Sequence, residues 1–189
     1  SPENVISVSI VEDDESLRSI YASWIENAED FKLLSQYDNG QRASEGIPAD
    51  RPDVVLSDIN LPGLNGVECV RKLKLELPKI QFVIITVYED SDRIFNALEA
   101  GATGYLLKQT PREELLSALR EVHQGGSPMS SGIARKVVQC FRKPASTHEE
   151  NELSQLSKRE EEVLELLARG FLCKEISAEL GISTHTVDT

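Results

Sequence analysis

Short apolar runs alternate with amphipathic segments over the first 124 residues of the chain. Five apolar runs have the length and composition of buried strands, at residues 5–11, 31–37, 54–56, 82–85 and 105–107. The segments between them repeat apolar residues three and four positions apart, as Leu17, Tyr21 and Trp24 do, which is the spacing of one buried helix face. Five strands alternating with five helices predict an α/β fold, a doubly wound parallel sheet with helices on both faces.

The pattern changes after residue 124. Gly125, Gly126 and Pro128 break both periodicities, so we expect a linker over 125–152 that contains a helix over 130–141. Residues 153–189 are strongly helical, and Ser157 with Glu160 has the spacing of a capping box in front of an apolar run. The chain therefore predicts a domain over 1–124, a linker over 125–152 and a small all-α segment over 153–189.

Charged side chains follow three of the predicted strands, and a hydroxyl follows a fourth. Glu12 and Asp13 follow the first strand, Asp58 the third and Lys108 the fifth, while Thr86 ends the fourth. Because the carboxyl ends of parallel strands meet at one edge of a sheet, we expect these side chains to converge. Carboxylates are ligands that suit Mg²⁺, and a carboxylate can attack phosphorus to give an aspartyl phosphate beside a fixed cation.

Taken one at a time, these residues have simpler interpretations. A lone aspartate such as Asp58 is most often a turn or cap residue, and Thr86 alone is an ordinary strand threonine. Tyr105 fits equally well as a plain core aromatic. Only the joint position of these residues at strand ends favours a phosphoryl-transfer site over a structural role.

The composition of the chain limits the classes of partner and cofactor that it is expected to bind. The net charge of −12 gives no general attraction to nucleic acid or an anionic membrane, so DNA binding would need a local basic patch. The three cysteines lie far apart without a C-x-x-C pair, which disfavours a zinc site or a disulfide framework. No apolar run approaches about 18 residues and no leader pattern begins the chain, so we expect a cytoplasmic protein without a membrane partner.

The first two thirds of the chain resemble the receiver domains of two-component response regulators. The matching motifs are segments 11–14 and 56–62, Thr86 and segment 104–108, in the family's order. The resemblance implies a flavodoxin-like sheet in the order 2-1-3-4-5, a sensor histidine kinase as partner, and Asp58 as the phosphoacceptor assisted by Lys108. It also implies Mg²⁺ as cofactor, with the ligand set Glu12, Asp13, Asp58 and the backbone carbonyl of Asn60.

The same resemblance implies a conformational switch formed by Thr86 and Tyr105. A dianion on Asp58 is expected to draw Thr86 and Lys108 inward, to open space for Tyr105 and to favour a homodimer. One departure from the family is Gln109, where many receivers have proline, so whether the Lys108–Gln109 peptide is cis stays open.

Residues 153–189 resemble the LuxR-type helix-turn-helix, which together with a receiver is the layout of NarL/FixJ-type regulators. The matching segments are 156–164, 174–176, 180–183 and 186–187. DNA contacts are then expected from Lys174, Thr184, His185 and Thr186. Asp188 stands where the family commonly has a basic residue, and the rest of the recognition helix has no counterpart before position 189. We therefore expect promoter DNA as partner of a longer form and weak DNA binding by this chain.

These inferences predict a phosphorylation-dependent response regulator that controls transcription. One alternative is a signalling partner that no longer binds DNA. Another is a phosphatase with Asp58 as nucleophile, but such an enzyme needs an acid two residues later, where Asn60 stands. We accordingly expect no enzyme activity beyond phosphoryl transfer to Asp58 and its reversal.

Overall fold

A computed structural model of the protein describes residues 4–142. The strands are β1 (Ile6–Val11), β2 (Phe31–Tyr37), β3 (Val54–Ser57), β4 (Gln81–Thr86) and β5 (Gly104–Leu107). The helices are α1 (Glu15–Glu26), α2 (Gly40–Asp50), α3 (Gly66–Glu76), α4 (Ser91–Ala100), α5 (Arg112–His123) and α6 (Ser131–Arg142). Strands and helices alternate up to α5, as the periodicity predicts.

All five strands form one parallel sheet in the order β2-β1-β3-β4-β5. This confirms the predicted fold class and strand order. Strand β3 lies at the centre beside β1, with Val11 paired to Ser57, so the residues that follow these two strands are neighbours in space. Strand β5 lies at one edge of the sheet, next to β4.

Successive side chains of each strand point to opposite faces of the sheet and so build two cores, one on each face. The first contains Val8, Ile10 and Leu106 and is covered by α1 and α5. The second lies under α2, α3 and α4 and contains Phe82 and Tyr105. The helices on both faces leave the carboxyl ends of the strands as the exposed edge where loops meet.

Short polar caps place the helices directly behind that edge. Asp14, Asn39, Asn65 and Asp90 each precede a helix, and each side chain accepts a hydrogen bond from the backbone N–H three residues later. Such caps satisfy amide groups that a helix start leaves without partners. The loops after β1, β3 and β4 are therefore fixed at their far ends, whereas α5, which follows the loop of Lys108, starts at Pro111 without a side-chain cap.

The predicted helix within the linker is confirmed as α6, at Ser131–Arg142. It does not stand apart from the domain, because Ile133 is buried among residues of the second core. The first compact unit of the chain accordingly reaches Cys140, beyond the alternating pattern that ends near residue 124. The rest of the predicted linker and the predicted helix-turn-helix, residues 143–189, lie outside the described residues.

Among residues 4–142, no helix has both the length and the apolar content that crossing a membrane requires.

Candidate functional site

Three carboxylates converge at the carboxyl edge of the sheet. Glu12 and Asp13 follow β1 and Asp58 follows β3, and one oxygen from each lies within 4.8 Å of one from the other two. Glu12 is fully buried and Asp58 is only 3% exposed, whereas Asp13 faces solvent. The sheet register explains the cluster, because β1 and β3 are hydrogen-bonded neighbours and end at the same level.

Lys108 supplies the positive charge of this cluster. Its Nζ lies 2.9 Å from Oδ2 of Asp58 and 3.0 Å from Oε2 of Glu12, and it donates to Oε1 of Glu12 at 3.2 Å. Burial acts to lower the pKa of Lys108, but the hydrogen bonds and charges of Asp58 and Glu12 outweigh it and raise that pKa. The ammonium therefore stays charged and bridges the two buried acids.

The burial of Glu12 disfavours the charged form of its carboxyl. Burial raises the pKa of its carboxyl, and the charge of Asp58 adds to that effect, while hydrogen bonds from Lys108 and the Asp14 amide oppose it. Among the described residues, no donor has hydrogen-bonding geometry toward Oε2 of Glu12, although Nζ of Lys108 lies 3.0 Å away. A buried carboxylate with one oxygen that accepts no hydrogen bond, clustered with two other carboxylates, belongs to a donor set that fits a hard divalent cation.

The two predicted switch residues both contact Tyr88. Thr86 ends β4 and is fully buried, and its Oγ1 accepts a hydrogen bond from the N–H of Tyr88 at 3.4 Å. Tyr105 is fully buried as well, and its hydroxyl donates to the carbonyl of Tyr88 at 2.8 Å. The guanidinium of Arg93 covers the Tyr88 ring, with Cζ 3.9 Å from the ring centroid. The backbone of Tyr88 thus links the two.

These positions change one detail of the predicted switch. Lys108 already contacts Asp58, because its charge is needed there to balance buried carboxylates. Tyr105 already lies inside, because the Tyr88 carbonyl satisfies its hydroxyl. Neither side chain therefore has to move inward from its present position, as the predicted switch required.

Two contributors to the site escaped the sequence reasoning. Tyr88 showed only as an aromatic residue two positions after Thr86, which is a weak signal. Gly66 begins α3 against the backbone of Asp58, and a Cβ there would lie 2.0 Å from the Asp58 carbonyl oxygen. The Asn65-Gly66 pair, a turn signal, could have indicated it. Gly66 lets α3 pack tightly behind Asp58.

The remaining predicted residues lie partly inside and partly outside the described part of the chain. Asn60 lies exposed in the loop after β3, two residues beyond Asp58. The Lys108–Gln109 peptide is trans, as are all peptide bonds of residues 4–142. The predicted DNA contacts lie outside the described residues: Lys174, Thr184, His185 and Thr186.

Two protein families match this chain. Residues 8–120 match the family described as the response regulator receiver domain. The chain belongs to the response regulator family. Residues 154–189 match a second family, described as bacterial regulatory proteins of the luxR family. The predicted combination of a receiver with a LuxR-type helix-turn-helix is thus confirmed.

Named relatives match this regulator over nearly its whole length. It is 30% identical over 188 residues to the oxygen regulatory protein NreC of Staphylococcus epidermidis, which covers 97% of this chain and 86% of the relative. It is 33% identical over 189 residues to the transcriptional regulatory protein LnrK of Bacillus subtilis, with the same coverage of both chains.

Solved structures agree with the receiver fold. A LuxR-family two-component response regulator from Aurantimonas sp. is 26% identical and has a TM-score of 0.69, covering 74% of this chain and all of that one. The response regulator RcsB in complex with DNA has a TM-score of 0.67 over 98% of this chain and 87% of its own. At 22% identity, that likeness shows the fold alone.

The receiver and the LuxR-type segment make this protein a two-component response regulator that acts in transcription. The relatives are transcriptional regulators, so the function as a response regulator is favoured over the phosphatase alternative. The acidic cluster of the receiver is able to hold a metal ion.

Proposed function

We propose that Asp58 accepts a phosphoryl group from a sensor histidine kinase, with Lys108 and a bound Mg²⁺ assisting the transfer. The observation that supports this proposal is the convergence of three carboxylates at strand ends of a receiver fold, with the half-buried Lys108 ammonium in contact with Asp58 and Glu12. Asp58 combines 3% exposure with a contact to Lys108, so its carboxylate is held in one place and screened from bulk water.

The chemistry follows from these groups. A carboxylate oxygen of Asp58 attacks phosphorus, the new O–P bond forms, and the P–N bond to the donor histidine breaks with its electron pair leaving on nitrogen. Lys108 stays protonated and offsets the charge beside the acceptor oxygen. Glu12, Asp13, Asp58 and the backbone carbonyl of Asn60 would hold Mg²⁺, which when bound neutralises charge on the phosphoryl oxygens.

Metal binding is expected to depend on Asp13 more than on Glu12. Asp13 is exposed and free to bind the cation directly, whereas Glu12 is already engaged by Lys108. Asp13→Asn should weaken Mg²⁺ binding about tenfold or more, and Glu12→Gln by less. Calorimetric titration with Mg²⁺ measures both affinities.

Asp14→Asn is the matched control for the metal experiment. It removes the same charge from the same loop, and asparagine can still cap α1 through the Leu17 amide. Its Mg²⁺ affinity should stay within about twofold of the wild-type value, because it lies outside the proposed ligand set. Equal losses in Asp13→Asn and Asp14→Asn would show that only general charge matters.

We further propose that Thr86 couples phosphorylation to the surface of the receiver. A phosphoryl dianion on Asp58 would draw the Thr86 hydroxyl away from the N–H of Tyr88. The loop between β4 and α4 would then shift, and with it the surface that a second copy recognises. The expected result is a phosphorylation-dependent homodimer.

Thr86→Val tests this coupling, because valine keeps the shape of threonine and removes the hydroxyl. After treatment with acetyl phosphate and Mg²⁺, the variant should gain the phosphate mass but dimerise at least about tenfold more weakly than wild type in analytical ultracentrifugation. Thr86→Ser, which restores the hydroxyl, should recover most of the dimer. If phosphorylated Thr86→Val dimerises as wild type does, the route through Thr86 is wrong while Asp58 keeps its role.

Promoter DNA is the proposed target of the C-terminal part in a longer form of the protein, and weak DNA binding is expected of the present chain. Support comes from the match of residues 154–189 to the luxR family and from relatives named as transcriptional regulators. Within that segment, Lys174, Thr184, His185 and Thr186 are proposed to contact DNA. The proposed boundaries are 1–124 for the alternating receiver, 125–152 for the linker, whose helix α6 packs on the receiver so that the compact unit reaches Cys140, and 153–189 for the helix-turn-helix.

A further inference from the structure

The stretch after α5 returns to the receiver. The carbonyl of Pro128 accepts a hydrogen bond from the N–H of Tyr105 at 3.0 Å, and Met129 forms a parallel bridge with Tyr105. Because β5 is an edge strand, this pairing covers part of an otherwise open edge. Gly104 permits the close approach, since a Cβ there would lie 3.0 Å from Cγ of Pro128.

Helix α6 adds two further contacts. Ser130 begins the helix by accepting a hydrogen bond from the N–H of Ile133 at 3.2 Å. Ile133 is 1% exposed and packs in the core cluster that contains Tyr105. One turn later, Nζ of Lys136 donates a hydrogen bond to the carbonyl of Glu89. The segment therefore holds the receiver at β5, in the core and at the loop after β4.

The far end of α6 is held less firmly. Val137 is only partly buried against the core, and Phe141, four residues on, is 78% exposed. Three residues of α6 are basic and none is acidic, whereas Glu89, Asp90 and Asp92 lie together at the start of α4. Among the described residues no ion pair joins the basic side chains of α6 to these acids, and attraction over a longer distance is screened by salt at such exposed positions. The hydrogen bond of Lys136 is the specific part of this second anchor.

We propose that residues 128–142, here termed the strap, form an intramolecular sensor that is docked in the present loop conformation and released when phosphorylation shifts that loop. The proposal rests on the function proposed for Asp58 and Thr86. Both predicted switch residues contact Tyr88, and the strap holds the carbonyl of the next residue, Glu89. A shift of that peptide removes the acceptor of Lys136, and the strap then depends on the β-bridge and on the apolar contacts of Met129, Ile133 and Val137.

Release of the strap would expose two surfaces at once. The edge of β5 at Tyr105 would lose its partner, and the core beside Ile133 would lose its cover. An open strand edge with an apolar face beside it is a surface that favours association with another chain. The strap thereby gives phosphorylation a direct physical route to a change of binding partner.

Hydrogen exchange in the 189-residue chain tests the contact of Lys136 with the Glu89 carbonyl without any phosphorylation. Lys136→Met removes the donor and keeps most of the aliphatic stem, so backbone amides of residues 131–142 should exchange about three- to tenfold faster than in wild type. Arg135→Met is the matched control, since Arg135 is an exposed cation next to Lys136, and exchange should stay close to wild type. Equal effects of the two variants, or none, would overturn the proposed anchor.

Exchange after treatment with acetyl phosphate and Mg²⁺ tests the release. Phosphorylated wild type should exchange at residues 131–142 as fast as Lys136→Met does, and Asp58→Asn treated in the same way should not change. The intact mass of the treated protein distinguishes failure of the function proposed for Asp58 from failure of the proposed strap. A protein that gains no phosphate refutes the function proposed for Asp58 and, with it, phosphorylation-driven release. A protein that gains phosphate while α6 stays protected refutes the strap alone.

Discussion

Asp58→Asn is expected to abolish phosphorylation of the protein. With Mg²⁺ and acetyl phosphate, wild type should gain one phosphate mass, and the variant should react at least about a hundredfold more slowly, because an amide is not a nucleophile toward phosphorus. Asparagine has nearly the same shape and still offers an oxygen to Lys108, so the fold should be retained. Intact-mass spectrometry over time measures the reaction, and peptide mapping locates the group.

Asp14→Asn is again a suitable control, because it removes one charge from the same edge of the sheet without touching the acceptor. Its rate should stay within about threefold of wild type. A phosphate that maps to a histidine or serine, or full phosphorylation of Asp58→Asn, would contradict the assignment.

Lys108→Met is expected to damage both chemistry and stability. The variant loses the cation that bridges Glu12 and Asp58, so phosphorylation should slow by about a hundredfold, which is typical for loss of one preorganised charge-stabilising donor. Two neighbouring carboxylates would also be left without a counter-ion in a largely buried site. The free energy of unfolding, measured by urea denaturation with EDTA present, should fall by about 3 kcal/mol.

Lys79→Met is the control for loss of a lysine charge, since Lys79 is exposed and lies just before β4 at the opposite end of the sheet. Its stability and phosphorylation rate should match wild type. If Mg²⁺ restores the stability of Lys108→Met, the damage is electrostatic. If Lys108→Met proves as stable as Lys79→Met without metal, then the bridge between the two acids is not what keeps Glu12 buried.

Much of the site could be predicted from the sequence because each of its charged residues has a recognisable local context. Asp58 and Lys108 each follow an apolar run. Parallel strands bring the residues at their carboxyl ends to one edge of the sheet, independently of the conformation of the loops. The sheet order came from the resemblance, since periodicity shows which residues are buried but not which strands pair. Motifs at strand ends were therefore sufficient to locate the cluster.

The parts that sequence reasoning missed depend on contacts between distant segments. Nothing local indicates that Pro128 returns to the edge of β5, because its pairing depends on where Tyr105 lies in the finished sheet. Glycine at 104 is equally uninformative until Pro128 is placed against it. Tyr88 has a role through its backbone atoms, which carry no sequence signature. The electrostatic strain on Glu12 likewise appears only once its burial is known.

If the proposed switch operates, the two cores on opposite faces of the sheet would divide the surface into a side that changes and a side that stays constant. Tyr105 and the buried residue of α6 belong to the core under α2, α3 and α4. The core under α1 and α5 contains neither, and its residues on β5 alternate away from those that contact Tyr88. A protein that docks on α1 would therefore meet the same shape before and after the proposed phosphorylation, whereas the β5 side of α5 borders Pro128 and Met129 and would change with the strap. A protein that docks beside α4 would distinguish the unphosphorylated from the phosphorylated domain. A single domain can therefore bind one partner in both states and another partner in one state alone.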